Sequence, residues 1–147
     1  PKRTVGDLVV TYKPIDPLTL AVNADLGYEE RVPLVGFTKD AYWYGAAVYG
    51  SYDFTDRLTL SLRGEYFVDE DGARTGTINP NTGLSDRLNV WEVTTTLRYK
   101  LLEKLYGRLE YRHDQTTGHI NTVFDKGSFT FNRGQQDTIA AELYYLF

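Results

Sequence analysis

The residues that could do chemistry in this chain are charged and spaced in twos. Arg63 and Glu65 are two apart, and Arg108, Glu110, Arg112 and Asp114 continue the same step. Glu92 and Arg98 fall on one parity within a third segment. Residues two apart on a strand share a face, so each segment would gather its charges on one surface. Lys13, Asp25 and Glu142 occupy equivalent positions, as do Asp7, Glu29, Asp53 and Lys100. Such a surface can line an aqueous passage or fill a narrow interior with ion pairs. Catalysis has weaker support. His113-Asp114 is the one acid/base neighbour pair, and adjacent strand residues point to opposite faces, so it reads as a strand-end pair. His119 and Ser128 have no third partner for a hydrolytic triad. Asp69-Glu70-Asp71-Gly72 resembles half a calcium loop without the spaced ligands or the distal Glu, and reads as a solvated loop. No metal site and no cofactor are expected.

The elements that must carry these charges announce themselves through a repeat. Tyr12–Leu18, Tyr52–Leu58 and Tyr99–Leu105 each read Tyr, three residues, an acid, one residue, Leu. Roughly ten alternating residues flank each copy, the pattern of hairpins with short turns. The predicted strands are Thr4–Lys13, Leu18–Glu29, Tyr42–Phe54, Leu58–Phe67, Asn89–Lys100, Leu105–Asp114 and Asp137–Phe147. The fourth alternates most cleanly, with Leu58, Leu60, Leu62, Gly64 and Tyr66 against Thr59, Ser61, Arg63 and Glu65. A helix would scatter those leucines around its axis. Polar segments 30–41, 68–87 and 115–136 separate the hairpins, so connections alternate short and long.

The 147 residues suffice for one domain. Mean hydropathy is −0.40, and no apolar run nears the ~18 residues of a membrane helix. A barrel strand escapes that test, because only every second residue meets lipid. The 12 Tyr, 7 Phe and 2 Trp suit a membrane–water interface, where a ring is buried and its polar tip stays wet. Tyr12, Tyr52, Tyr99 and Tyr145 lie toward the short turns, and Tyr28, Tyr44, Tyr66 and Tyr111 toward the opposite strand ends, as two aromatic girdles. The fold class expected is therefore all-β: an antiparallel transmembrane barrel, a meander of about seven to eight strands with short turns on one side and long loops on the other. Charges facing lipid would cost a few kcal/mol each, so the charged face is assigned to the lumen. A net charge of −4 disfavours nucleic acid as a partner, and the absence of cysteine excludes disulfides and thiolate metal sites.

The terminal run Leu143-Tyr144-Tyr145-Leu146-Phe147, with alternating apolar residues and a final Phe, resembles the C-terminal signal of bacterial outer-membrane proteins. The segment from Phe124 through Asn132-Arg133-Gly134-Gln135-Gln136-Asp137 to Phe147 is similar to the C-terminal end of the OmpL-like β-barrel porins. Tyr52–Tyr66 and Trp91–Asp114 are also similar to that family. The resemblance implies a diffusion channel in the bacterial outer membrane, with no catalytic residues to carry over. It implies Tyr145 and Phe147 as the signal read by the barrel assembly machinery. It also implies contact with outer-membrane lipid and lipopolysaccharide; divalent-bridged contact with lipopolysaccharide is the second reading of Asp69–Gly72.

Seven strands are odd, whereas single-chain bacterial barrels have even numbers. With Phe147 on the periplasmic side, the three short turns are periplasmic too, and the first strand starts outside. The expectation is the C-terminal part of a larger barrel, closed by further strands or chains, or an eighth strand elsewhere in the chain. The lack of any Met or leader segment fits a processed or truncated product. The leading functional expectation is a porin for small hydrophilic solutes or ions. A closed, non-conducting barrel serving as an anchor or binding through its loops is the alternative, and an enzyme comes third.

Overall fold

The computed structural model describes residues 1–117 and 134–147 throughout, and the backbone of 124–125 and 131–133. In chain order the strands are β1 (Arg3–Ile15), β2 (Leu18–Leu34), β3 (Phe37–Asp53), β4 (Leu58–Asp69), β5 (Leu88–Lys100), β6 (Leu105–Thr117), β7 (Phe124–Asp125), β8 (Phe131–Arg133) and β9 (Gln135–Tyr145). Seven of them form one antiparallel meander in the order β1-β2-β3-β4-β5-β6-β9, and β7 pairs with β8 in a separate small sheet. The all-β meander expected from the alternation is the fold observed. β1 and β9 are its edges, and they do not pair with each other. Both run toward the short-turn end, so the described strands form an open wall.

Alternation sorts the side chains of the wall into two faces, and burial inverts the order of a water-soluble protein. On one face Leu26, Val48, Leu62 and Leu109 are 62%, 58%, 52% and 52% exposed. On the other, Glu92, Asp114, Thr59 and Thr94 are buried, Glu92 at 3%. Soluble folds hide their leucines and expose their carboxylates. Here the sheet curls around its charges and turns its leucines outward.

The short turns follow the sequence repeat. In the second and third copies, Phe54 and Leu101 donate their N–H groups to the carbonyls of Leu58 and Leu105, each at 2.9 Å. The motif leucine thus closes its own hairpin. The first copy is tighter: Ile15 faces Leu18 across Asp16-Pro17, and the register slips between Tyr12 and Ile15.

The long connections depart from expectation. Residues 30–41, expected as a loop, instead extend the β2–β3 hairpin to a tight turn at Val35-Gly36. A bulge between Glu29 and Val32, with Arg31 at φ 49°, lets the pairing resume. Gly36 has φ 93°, so the tip needs glycine for conformation, and a Cβ there would push aside the end of the Leu84 side chain, 2.3 Å away. Residues 68–87, expected to be structureless, begin inside β4 and then form an ordered loop. Ile78 bridges Ser85, and Ser85 exchanges bonds with Val35: its N–H to the Val35 carbonyl (3.2 Å), its hydroxyl accepting from the Val35 N–H (2.9 Å). Ser128–Thr130, His119 and much of segment 115–136 lie outside the described residues. Phe131 and Asn132 fall in β8.

Candidate functional site: a charged inner wall

The register of β2 to β9 arranges the inner face in rows of like character. Glu65, Glu92 and Asp114 stand directly opposite one another across β4, β5 and β6. One step toward the short turns lie Arg63, Thr94 and Arg112. The next row is mostly hydroxyl: Thr19, Ser51, Ser61 and Thr96, ending at Glu110. Below it come Asp53, Thr59, Arg98, Arg108 and Glu142. Like charges directly opposite each other repel. The structure resolves this by pairing diagonally and along strands.

Arg63 is ion-paired with Glu65 on its own strand and reaches Glu92 Oε2 on β5 at 2.9 Å through Nη1. Arg112 holds Asp114 at 2.5 Å and approaches Glu92 at 4.0 Å. Glu92 also accepts from the Thr94 hydroxyl. One buried carboxylate is therefore flanked by two guanidiniums, each with a second acid of its own. Burying Glu92 is tolerable only because of that enclosure. Glu110 accepts from the Thr96 hydroxyl at 2.8 Å, and Arg108 pairs with Glu142 at 3.1 Å. Arg98 donates to the Thr59 hydroxyl at 3.0 Å, while Asp53 stands 3.9 Å away. The Arg63 guanidinium lies 5.7 Å over the Tyr49 ring.

The remaining charged residues lie nearer the β1 edge. Asp25 faces Asp7 directly, and Asp7 accepts from the Asn23 side-chain amide at 2.6 Å. Lys13 is exposed in the irregular stretch between Tyr12 and Ile15, beyond the regular rows. His113 and Asp114 point to opposite faces: Asp114 joins Arg112 inside, while His113 lies on the outward face, 2.8 Å from Asp137 and beside the Trp91 ring.

The outer rim holds residues that sequence reasoning missed. Trp43 lies on the inner face over Gly27, where any Cβ would fall 1.9 Å from the indole. Arg74, from the 70–87 loop, covers the Trp43 ring at 4.5 Å and pairs with Glu29 at 2.7 Å. Arg3 grips the same carboxylate at 2.9 and 3.1 Å. The loop thus folds over the end of the inner wall. Trp43 could have been suspected, since the alternation puts it among Ala41, Gly45 and Ala47. Arg74 could not, because a loop residue has no face until the chain folds. The expectation of a solvated Asp69–Gly72 fails on burial. Asp69 is 0% exposed and accepts from the N–H groups of Ala73 (3.1 Å), Arg74 (2.8 Å) and Thr75 (2.9 Å), and from the Thr75 hydroxyl (2.9 Å). Asp71 is tied to Lys39 at 2.5 Å. These carboxylates organise the loop.

The girdle tyrosines all occupy the outward face. Tyr12, Tyr52, Tyr99 and Tyr145 lie toward the short turns, where Tyr145 meets Phe147 edge-on at 5.5 Å between ring centres. At the far side Tyr28, Tyr44 and Tyr111 donate their hydroxyls to Asp40 (2.8 Å), Glu70 (3.1 Å) and Asp137 (2.6 Å). Tyr66 pairs with Trp91 in the same band, and Tyr42 with Tyr28. Asp40, beyond that band in the hairpin extension, is held below the usual carboxylate range, first by the Arg31 N–H and then by the Tyr28 hydroxyl.

A curled antiparallel sheet with charged rows inside, apolar residues outside and aromatic bands at both ends has the pattern of part of a β-barrel wall. The family model described as "Putative beta-barrel porin-2, OmpL-like" matches residues 1–147, and the chain belongs to that family. No match to the chain is found among curated proteins or among solved structures.

Proposed function

We propose that this chain forms the wall of a passive diffusion channel for small hydrophilic solutes or ions in the bacterial outer membrane. The inverted burial carries the reading: Glu92 is 3% exposed on the concave face while Leu62 is 52% exposed on the convex one. An apolar convex face of this extent needs lipid, and a charged concave face needs water or ion-pair partners. Outward-facing leucines between two aromatic bands match a hydrocarbon layer bounded by two interfaces. The short turns and Phe147 are assigned to the periplasmic side, with Tyr145 and Phe147 as the signal for the barrel assembly machinery. The outer band and its acidic acceptors then meet lipopolysaccharide. No chemical step is involved: solutes move down their gradient past fixed charges.

The ion-paired network around Glu92 also suits a closed barrel whose interior is filled, acting as an anchor or through its loops. Single-channel recording in planar bilayers separates the two. A diffusion channel gives discrete conductance steps, and a filled barrel gives none. Arg63, Arg108 and Arg112 changed singly to Glu are expected to shift the reversal potential toward cation selectivity; an unchanged potential in all three would defeat the channel reading.

A further inference from the structure

The charged rows differ from one end of the wall to the other. Among the described residues, seven carboxylates lie on the inner face outward of the hydroxyl row: Asp7, Asp25, Glu29, Glu65, Asp69, Glu92 and Asp114. Four arginines offset them: Arg63 and Arg112 within the rows, and Arg3 and Arg74 on Glu29. Toward the short turns the balance reverses, with Arg98, Arg108 and Lys100 against Asp53 and Glu142. Arg98 and Arg108 stand directly opposite each other, and each is ion-paired to one acid, Asp53 at 3.9 Å and Glu142 at 3.1 Å. Among the described residues Lys100 has no ion-pair partner, so the rows toward the short turns keep one positive charge in excess, whereas the outer rows keep three negative charges in excess.

We propose that this axial sorting makes the channel rectify, passing more current when the outer compartment is positive than when it is negative. The inference rests on the channel reading and adds a direction to it. Fixed charge on a pore wall concentrates the counter-ion in its own section. Cations collect at the acidic outer section, and anions at the basic periplasmic section. An outer-positive voltage drives each ion into the pore through the end that attracts it, so carriers accumulate along the lumen. The opposite voltage draws each ion out through that same end, and the middle is depleted. The hydroxyl row lies between the two sections and carries Glu110 as its one charge.

The test is current–voltage recording on the full-length protein in planar bilayers. Orientation is read from a Phe37→Cys variant at the outer hairpin tip, labelled from one side with an impermeant thiol reagent; the native chain has no cysteine to compete. At about 100 mV of either sign the outer-positive current should be larger by roughly 1.5-fold in 0.1 M KCl, where the Debye length is about 10 Å, and the asymmetry should vanish in 1 M KCl, where it is about 3 Å. Arg98→Glu combined with Arg108→Glu should abolish the asymmetry or reverse it. Asp7→Asn with Asp25→Asn, which acts at the other end and leaves the basic row intact, should reduce it. Symmetric currents in 0.1 M KCl, or a ratio that neither pair of substitutions moves, would overturn the proposal while leaving a channel. Absence of any conductance step in the native protein would overturn the channel reading itself, and rectification with it.

Discussion

Arg63 and Glu92 meet across the β4–β5 pair at 2.9 Å, although the register sets Arg63 opposite Thr94 and Glu92 opposite Glu65. The ion pair is diagonal, and it lets a buried acid survive beside another acid. Replacing Glu92 with Gln should leave Arg63 and Arg112 short of one counter-charge. The expected cost is about 1–3 kcal/mol, less than for a fully buried pair, because both arginines remain partly exposed. Urea unfolding of the reconstituted barrel measures that loss, and the same variant should become more anion-selective in a reversal-potential experiment.

Leu62 and Ser61 are neighbours that the sheet sends to opposite faces. Leu62→Arg should place a charge in the hydrocarbon layer and cost about 2–4 kcal/mol near the midplane. Ser61→Arg should be tolerated, because its side chain enters the aqueous side. Urea titration of the two variants in lipid vesicles compares them directly. Equal destabilisation would contradict the assignment of faces.

Asp69 serves the loop that follows it. Asp69→Ala removes the acceptor for three backbone N–H groups and the Thr75 hydroxyl, and should destabilise the 70–87 loop by on the order of 2–4 kcal/mol. Amide exchange at Ala73, Arg74 and Thr75 should accelerate sharply while the strands stay protected. Arg74 would lose its seat over Trp43, so tryptophan emission should change in the same variant.

Asp40 supplies the pH dependence. Its folded-state pKa is lowered from the ordinary 3.8, so its contribution is fully present above that value and is lost as pH falls through the lowered one. Protection of the hairpin extension against proteolysis should be flat from neutral pH down to about 4 and should decline below it. Asp40→Asn should flatten that decline, while the stability of the spanning strands follows the parent protein.

Much of this protein is written in its alternation. Leu58, Leu60 and Leu62 against Thr59, Ser61 and Arg63 specify a strand and its two faces, because a two-residue period has one structural solution. The Tyr–acid–Leu repeat specifies three short turns on one side, because the motif leucine closes its own hairpin. The long connections were not legible. Their pairing depends on contacts distant in sequence, such as Leu84 on Gly36 and Arg74 on Trp43. Parity showed that Arg63, Glu65, Glu92, Arg112 and Asp114 belong to one surface, but parity does not say which residue stands beside which. A two-residue shift of register would keep every face and change every neighbour. That choice belongs to the tertiary structure, which set Glu65, Glu92 and Asp114 in one row and placed Arg63 and Arg112 where their charge is needed.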